Sequence, residues 1–108
     1  MANLRECALL RIFLGESERC GHVPLYEAIV MKARDHGLAG ATVLRGPLGY
    51  GKSSHIHSAK ILRLSEDLPL VVEIVDEPAK IEAFVDVLAP MMTGGLVTLE
   101  KVQVVALE

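Results

Sequence analysis

Gly46, Gly51, Lys52 and Ser53 stand at the spacing G-x-x-x-x-G-K-[ST], within the stretch RGPLGYGKSSH that runs from Arg45 to His55. That spacing is the signature of a loop whose backbone N–H groups and lysine cradle a nucleotide's phosphates. The chemistry needs a setting: the first strand of a mostly parallel sheet before the loop, and a helix opening at the Lys-Ser pair. Here the loop comes after the second strand. The residues that follow, SSHIHSAKILRL, alternate like an extended chain. LVVEIVD imitates the hydrophobic strand and acidic end of a hydrolase's second motif, yet Asp76 more simply caps the next helix. Two readings stay open besides hydrolysis. One is a solvated loop whose glycines permit unusual backbone angles. The other is an anion-binding loop in which Gly49, Gly51 and Lys52 give close backbone approach and one cation.

Other chemistry-bearing residues are sparser. His55 and His57 would share one side of a strand and, with His22 or Glu66, could ligate a metal, but a full ligand set is not visible. The plainer reading is polar residues in a loop. Glu66 and Asp67 precede Leu68-Pro69 and read as turn formers carrying solvated charge. Glu73, among apolar neighbours, is expected to pair with Arg11 or Lys101.

The elements that must position these residues are legible. CALLRIFLG, from Cys7 to Gly15, is a strand with apolar residues on both faces apart from Arg11. ESERCGHV reads as a polar loop. PLYEAIVMKARDHG reads as a helix with Pro24 in its first turn and Gly37 as its stop, turning Leu25, Ala28, Ile29, Lys32 and Ala33 to one side. ATVLR is a second strand, and Leu70 to Val75 a third. Lys60 to Leu64 is either an extension of that third strand or a separate hairpin arm. EPAKIEAFVDVLAPMM is an amphipathic helix with Asp76 as N-cap, Pro78 in its first turn, and Ile81, Phe84, Val85, Leu88 and Met92 as its apolar stripe. Gly94 and Gly95 end it, and LVTLEKVQVVAL is the last strand. Strand–helix–strand twice over implies a ferredoxin-like βαββαβ domain of the α+β class: a four-stranded antiparallel sheet with both helices on one face. The other face then needs cover, which further copies of the chain would supply.

Composition narrows the function classes. The chain has 108 residues, enough for one domain, and 51% of them are hydrophobic. A formal net charge of −3, no basic block and few aromatics argue against nucleic acid as a partner. Cys7 and Cys20 make no disulfide framework. No apolar run is long enough for a bilayer, and no leader pattern is visible, so a cytoplasmic protein is expected. Acylphosphatases share the inferred fold and size, and their chemistry uses an arginine after the first strand together with an asparagine. Arg19 is available, but Asn3 is the chain's sole asparagine, so that enzyme is not expected.

GLAGATVLRGPLGYGK resembles the stretch of nitrogen-regulatory PII proteins leading into their long effector-binding T-loop. LPLVVEIVDEPAKIEAFVDVL resembles the PII strand and helix after that loop, and TGGLVTLEKVQVV the PII glycine turn and last core strand. GES and PLYEAIV after the first strand, with GGLVTLE, look more like the PII-like family defined as a domain of unknown function. The resemblance spans nearly the whole chain. It implies a single domain over residues 1–108, a T-loop-like segment at about 46–64, a homotrimer, and an adenine nucleotide held in the clefts between subunits. It also implies a non-enzymatic signalling role in which loop movement reports the bound nucleotide, with a membrane transporter or channel as an expected regulated partner. The matching positions are Thr42, facing the adenine edge, with Gly46, Gly49, Tyr50, Gly51 and Lys52 at the loop base and Gly94 and Gly95 in the second turn. Two departures bear on the ligand. Leu96 stands where PII proteins carry a phosphate-contacting lysine, and VQVVALE has no paired arginines. Each lost charged hydrogen bond costs about 1.5–3 kcal/mol, so AMP is favoured, with ADP and ATP as alternatives. No cofactor is required. Lys52, Arg45 and Lys101 are the candidate cations, and no residue is expected to be catalytic. The runners-up are a P-loop-type nucleotide phosphohydrolase and a metal-linked structural trimer.

Overall fold

The computed structural model describes residues 3–51, 56–58 and 67–107. Its strands are β1 (Asn3–Gly15), β2 (Arg19–Cys20), β3 (Val23–Pro24), β4 (Thr42–Arg45), β5 (Leu48–Gly49), β6 (His57–Ser58), β7 (Pro69–Asp76) and β8 (Leu96–Ala106). Its helices are α1 (Leu25–Asp35) and α2 (Pro78–Leu88), and a short 3-10 turn covers Ala89–Met91. The expected sheet is present: four strands in the order β4-β7-β1-β8, every neighbour antiparallel. β4 is separated from β1 by β7, and β8 from β7 by β1. Each helix therefore crosses over an intervening strand, which is the split βαβ arrangement.

Alternation sorts the side chains of the sheet. Leu10, Ile12 and Leu14 of β1 and Leu70, Val72 and Ile74 of β7 point one way and are buried. Leu25, Ile29 and Ala33 of α1 and Ile81, Phe84 and Leu88 of α2 pack onto them as one core, so both helices cover the same face. Val85 and Met92 sit at its rim, half-buried.

The opposite face is organised in cross-strand rows, because directly paired residues share a side. Leu44, Val71, Phe13 and Leu96 form an apolar row nearest the end of the sheet. Thr42, Glu73, Arg11 and Thr98 form a polar row behind it. Arg11 donates from Nε to Glu73 at 2.9 Å and from Nη1 to Glu100 at 2.7 Å. Leu44, Val75 and Leu96 on this face are exposed, Leu96 to 57%.

Several local expectations change. β1 begins at Asn3 rather than Cys7, because Asn3–Glu6 pair with the far end of β8, a partner 97 or more residues away that local pattern cannot reveal. The polar loop after β1 closes as a small hairpin, β2 with β3, around Gly21 at φ +64°. Pro24 precedes α1 as its cap instead of lying inside it. Asp76 is not the N-cap of α2; Glu77 is. Asp76 ends β7 as a buried carboxylate that accepts from Glu77 N at 2.7 Å and from Ala39 N at 2.9 Å. It thereby joins the loop before β4 to the start of α2. Burial by itself would raise its pKa. The two backbone N–H donors, with Lys80 and Arg5 nearby, outweigh that and hold the carboxyl below the usual carboxylate range. The question of Lys60 to Leu64 falls outside the described residues.

Candidate functional site

Gly15 pairs with Pro69, and Phe13 with Leu96. Antiparallel pairing therefore brings the end of β1, the start of β7 and the start of β8 to one edge of the domain. β5 and its exit join them there. Together they line a cleft of about 610 Å³, formed by Phe13–Gly15, Glu18, Gly49–Gly51, Asp67, Pro69–Val71 and Gly94–Leu96. That size suits a small organic ligand.

Local chemistry shapes each wall. A Cβ on Gly95 would lie 2.6 Å from the Phe13 carbonyl oxygen, and the residue holds φ +86°, so only glycine fits. A Cβ on Gly49 would meet Pro69 Cγ at 3.0 Å. At Gly15 a Cβ would come within 2.6 Å of Asp67 Oδ1. The floor, Phe13, Val71 and Leu96, is the apolar row of the open sheet face.

The acidic wall is tied to the backbone. Gly15 N donates to Glu18 Oε2 at 2.8 Å, and Ser17 N to Asp67 Oδ1 at 2.9 Å. Glu16 N donates to Leu68 O at 2.9 Å. The turn after β1 is thus stitched to the entry of β7. Neither Glu18 nor Asp67 was singled out by spacing; Asp67 in particular reads as a solvated turn residue from sequence. The signal that finds them is tertiary, the pairing of Gly15 with Pro69.

The sequence-derived site residues divide. Gly49, Tyr50, Gly51, Gly94 and Gly95 come together on the cleft wall. Thr42 does not: it lies on edge strand β4, exposed, opposite Glu73 and behind the apolar row. Gly46 also stands outside the lining, where its N–H donates to Pro69 O at 2.7 Å and fixes the base of the loop. Lys52, His55 and Glu66 lie outside the described residues. Arg45 is engaged by Glu16 in an ion pair. Lys101 is far along β8, 3.9 Å from Glu6. Glu73 pairs with Arg11, one of its two expected partners. Of the cleft's described lining, the charged side chains are the two carboxylates.

The setting of a P-loop is absent from the described residues. β4, before the loop, is an antiparallel edge strand, and the chain reappears as strand β6 paired to β5. Among the described residues no three His, Cys, Asp or Glu side chains converge as a metal site. No helix of the described residues is long and apolar enough to cross a membrane.

The sheet order and the two helices on one face define a PII-like, ferredoxin-like fold. The chain superimposes on CPII from Thiomonas intermedia K12 bound to ADP and bicarbonate, with a TM-score of 0.69 and 17% identity over 94% of this chain and 91% of that one. It also superimposes on the B. subtilis GlnK–ATP complex, with a TM-score of 0.58 and 13% identity over 90% and 82% of the two chains. At the level of sequence, the family model DUF190, described as an uncharacterized ACR, matches residues 7–104. A UPF0166 protein of Aquifex aeolicus (strain VF5) is 43% identical over 99 residues, covering 92% of this chain and 93% of that protein. A second from the same organism is 32% identical over 89% and 94% of the two. The chain belongs to the DUF190/UPF0166 family.

Proposed function

We propose that this protein is a non-enzymatic PII-like regulator that binds an adenine nucleotide, with AMP favoured, and signals through the segment at about 46–64. The observation that carries the reading is the convergence of two glycine turns from separate elements, Gly49–Gly51 and Gly94–Gly95, on one cleft. Glycine N–H groups without flanking side chains can approach a phosphate closely. CPII has been solved with ADP and AMP and GlnK with ATP, which supports the ligand class. Leu96, at the position where the resemblance to PII proteins leads to a phosphate-contacting lysine, supports fewer phosphates over three. The working unit is a homotrimer, in which copies seated on the open sheet face cover Val75, Leu44 and Leu96 and wall the cleft. The regulated partner is a membrane transporter or channel that the loop contacts.

Calorimetry of the full chain against AMP, ADP, ATP, cyclic AMP and cyclic di-AMP tests this. Saturable binding of AMP is expected, one per protomer, and Gly51→Asp should weaken it at least tenfold without changing oligomeric mass. Absence of binding by all five at millimolar concentration would overturn the nucleotide reading.

A further inference from the structure

The cleft joins features that suit different parts of a nucleotide. Phe13, Val71 and Leu96 make an apolar floor onto which a planar base can be laid. The glycine turns offer N–H donors. Beside them stands Glu18, whose negative charge disfavours a phosphate and suits a neutral donor. Glu18 is half-buried, and its Oε2 is fixed by the Gly15 N–H at 2.8 Å. An ionised carboxylate has about four lone-pair positions, so one N–H leaves capacity for further donors. Two adjacent neutral hydroxyls match the spacing of a carboxylate's two oxygens. On a nucleotide those are the 2′ and 3′ hydroxyls of ribose.

Resting on the nucleotide reading above, we infer that Glu18 is a specificity-determining residue that accepts hydrogen bonds from the ribose diol, so that the cleft selects ribonucleotides over 2′-deoxyribonucleotides. Asp67, seated against Gly15 and accepting from the Ser17 N–H, closes the same wall. A charge-assisted hydrogen bond is worth roughly ten- to hundredfold in affinity. Removing the 2′ hydroxyl should therefore be felt strongly, and only while the carboxylate is present.

The test is calorimetry of the full chain with AMP, 2′-deoxy-AMP and IMP, in EDTA and again with Mg²⁺. In EDTA the wild type should bind AMP at least tenfold tighter than 2′-deoxy-AMP. Glu18→Ala should bring that ratio near one, and Glu18→Gln, which still accepts from Gly15 N, should fall between. Each ratio is taken within one variant, so a general loss of fold cancels. Equal binding of AMP and 2′-deoxy-AMP by the wild type overturns the ribose assignment while leaving the nucleotide reading intact. A preference that requires Mg²⁺ overturns it in favour of a cation bridge. Collapse of the AMP-to-IMP ratio instead assigns Glu18 to the base amine. If none of the three nucleotides binds, the nucleotide reading itself fails.

Discussion

Glycine positions around the cleft differ in what they demand. Gly51 and Gly94 have open space where a Cβ would be, whereas Gly95 has the Phe13 carbonyl oxygen at 2.6 Å and φ +86°. Gly95→Ala should therefore destabilise the protein by about 1–3 kcal/mol through backbone strain, read as a lowered urea midpoint. Gly94→Ala should stay near wild type. Leu96 is the other informative residue. It is exposed on the cleft floor where PII proteins place a lysine. Leu96→Lys should raise ATP affinity by about tenfold, the value of one charged hydrogen bond, with a smaller gain for AMP. Calorimetry with both nucleotides checks this, and an unchanged ratio would show that the triphosphate tail lies elsewhere. The glycines were readable from sequence because their spacing is local. Glu18 and Asp67 were not, since each looks like any polar turn residue until Gly15 and Pro69 are paired.

Elements are held together by buried polar contacts as well as by the apolar core. Asp76 joins three of them: it ends β7, receives the N–H of Glu77 before α2, and receives the N–H of Ala39 before β4. Its folded pKa is depressed, so its stabilisation is present above the unfolded value of about 3.9. That contribution is lost as pH falls through the folded pKa. Asp76→Asn can satisfy one donor well and the other poorly, and should cost about 1–3 kcal/mol at pH 7. The gap from wild type should shrink between pH 5 and pH 2 in urea titrations at fixed protein concentration. A gap that is constant with pH would mean the carboxylate's charge does not contribute. The strand, helix and stripe assignments came from periodicity, which is a local property. What periodicity misplaced was Asp76, because an acidic residue before Pro78 has the composition of an N-cap whether or not a distant N–H also reaches it.

For the molecule as a whole, the two faces of the sheet are unequal. One is sealed by α1 and α2. The other carries an apolar row, a polar row crossed by Arg11, and exposed Leu44, Val75 and Leu96. In the proposed trimer this face is interior, and Arg11 would compensate Glu73 and Glu100 away from water. Arg11→Leu leaves two carboxylates without their guanidinium and should shift the assembly toward monomers at micromolar concentration. Light scattering behind gel filtration reads the mass directly. An unchanged mass with unchanged concentration dependence would place the contact between copies on another surface.

Sequence by itself determined the order of elements, the helix-facing core and the two glycine turns, because each depends on alternation or spacing within a few residues. It also carried the family likeness over nearly the full chain. Tertiary structure decided which of the singled-out residues meet. Antiparallel pairing placed Gly49–Gly51 beside Gly94–Gly95, set Thr42 behind the apolar row, and engaged Arg45 with Glu16. It also drew Glu18 and Asp67 into the cleft. Those outcomes depend on contacts between strands tens of residues apart, and no local spacing encodes them.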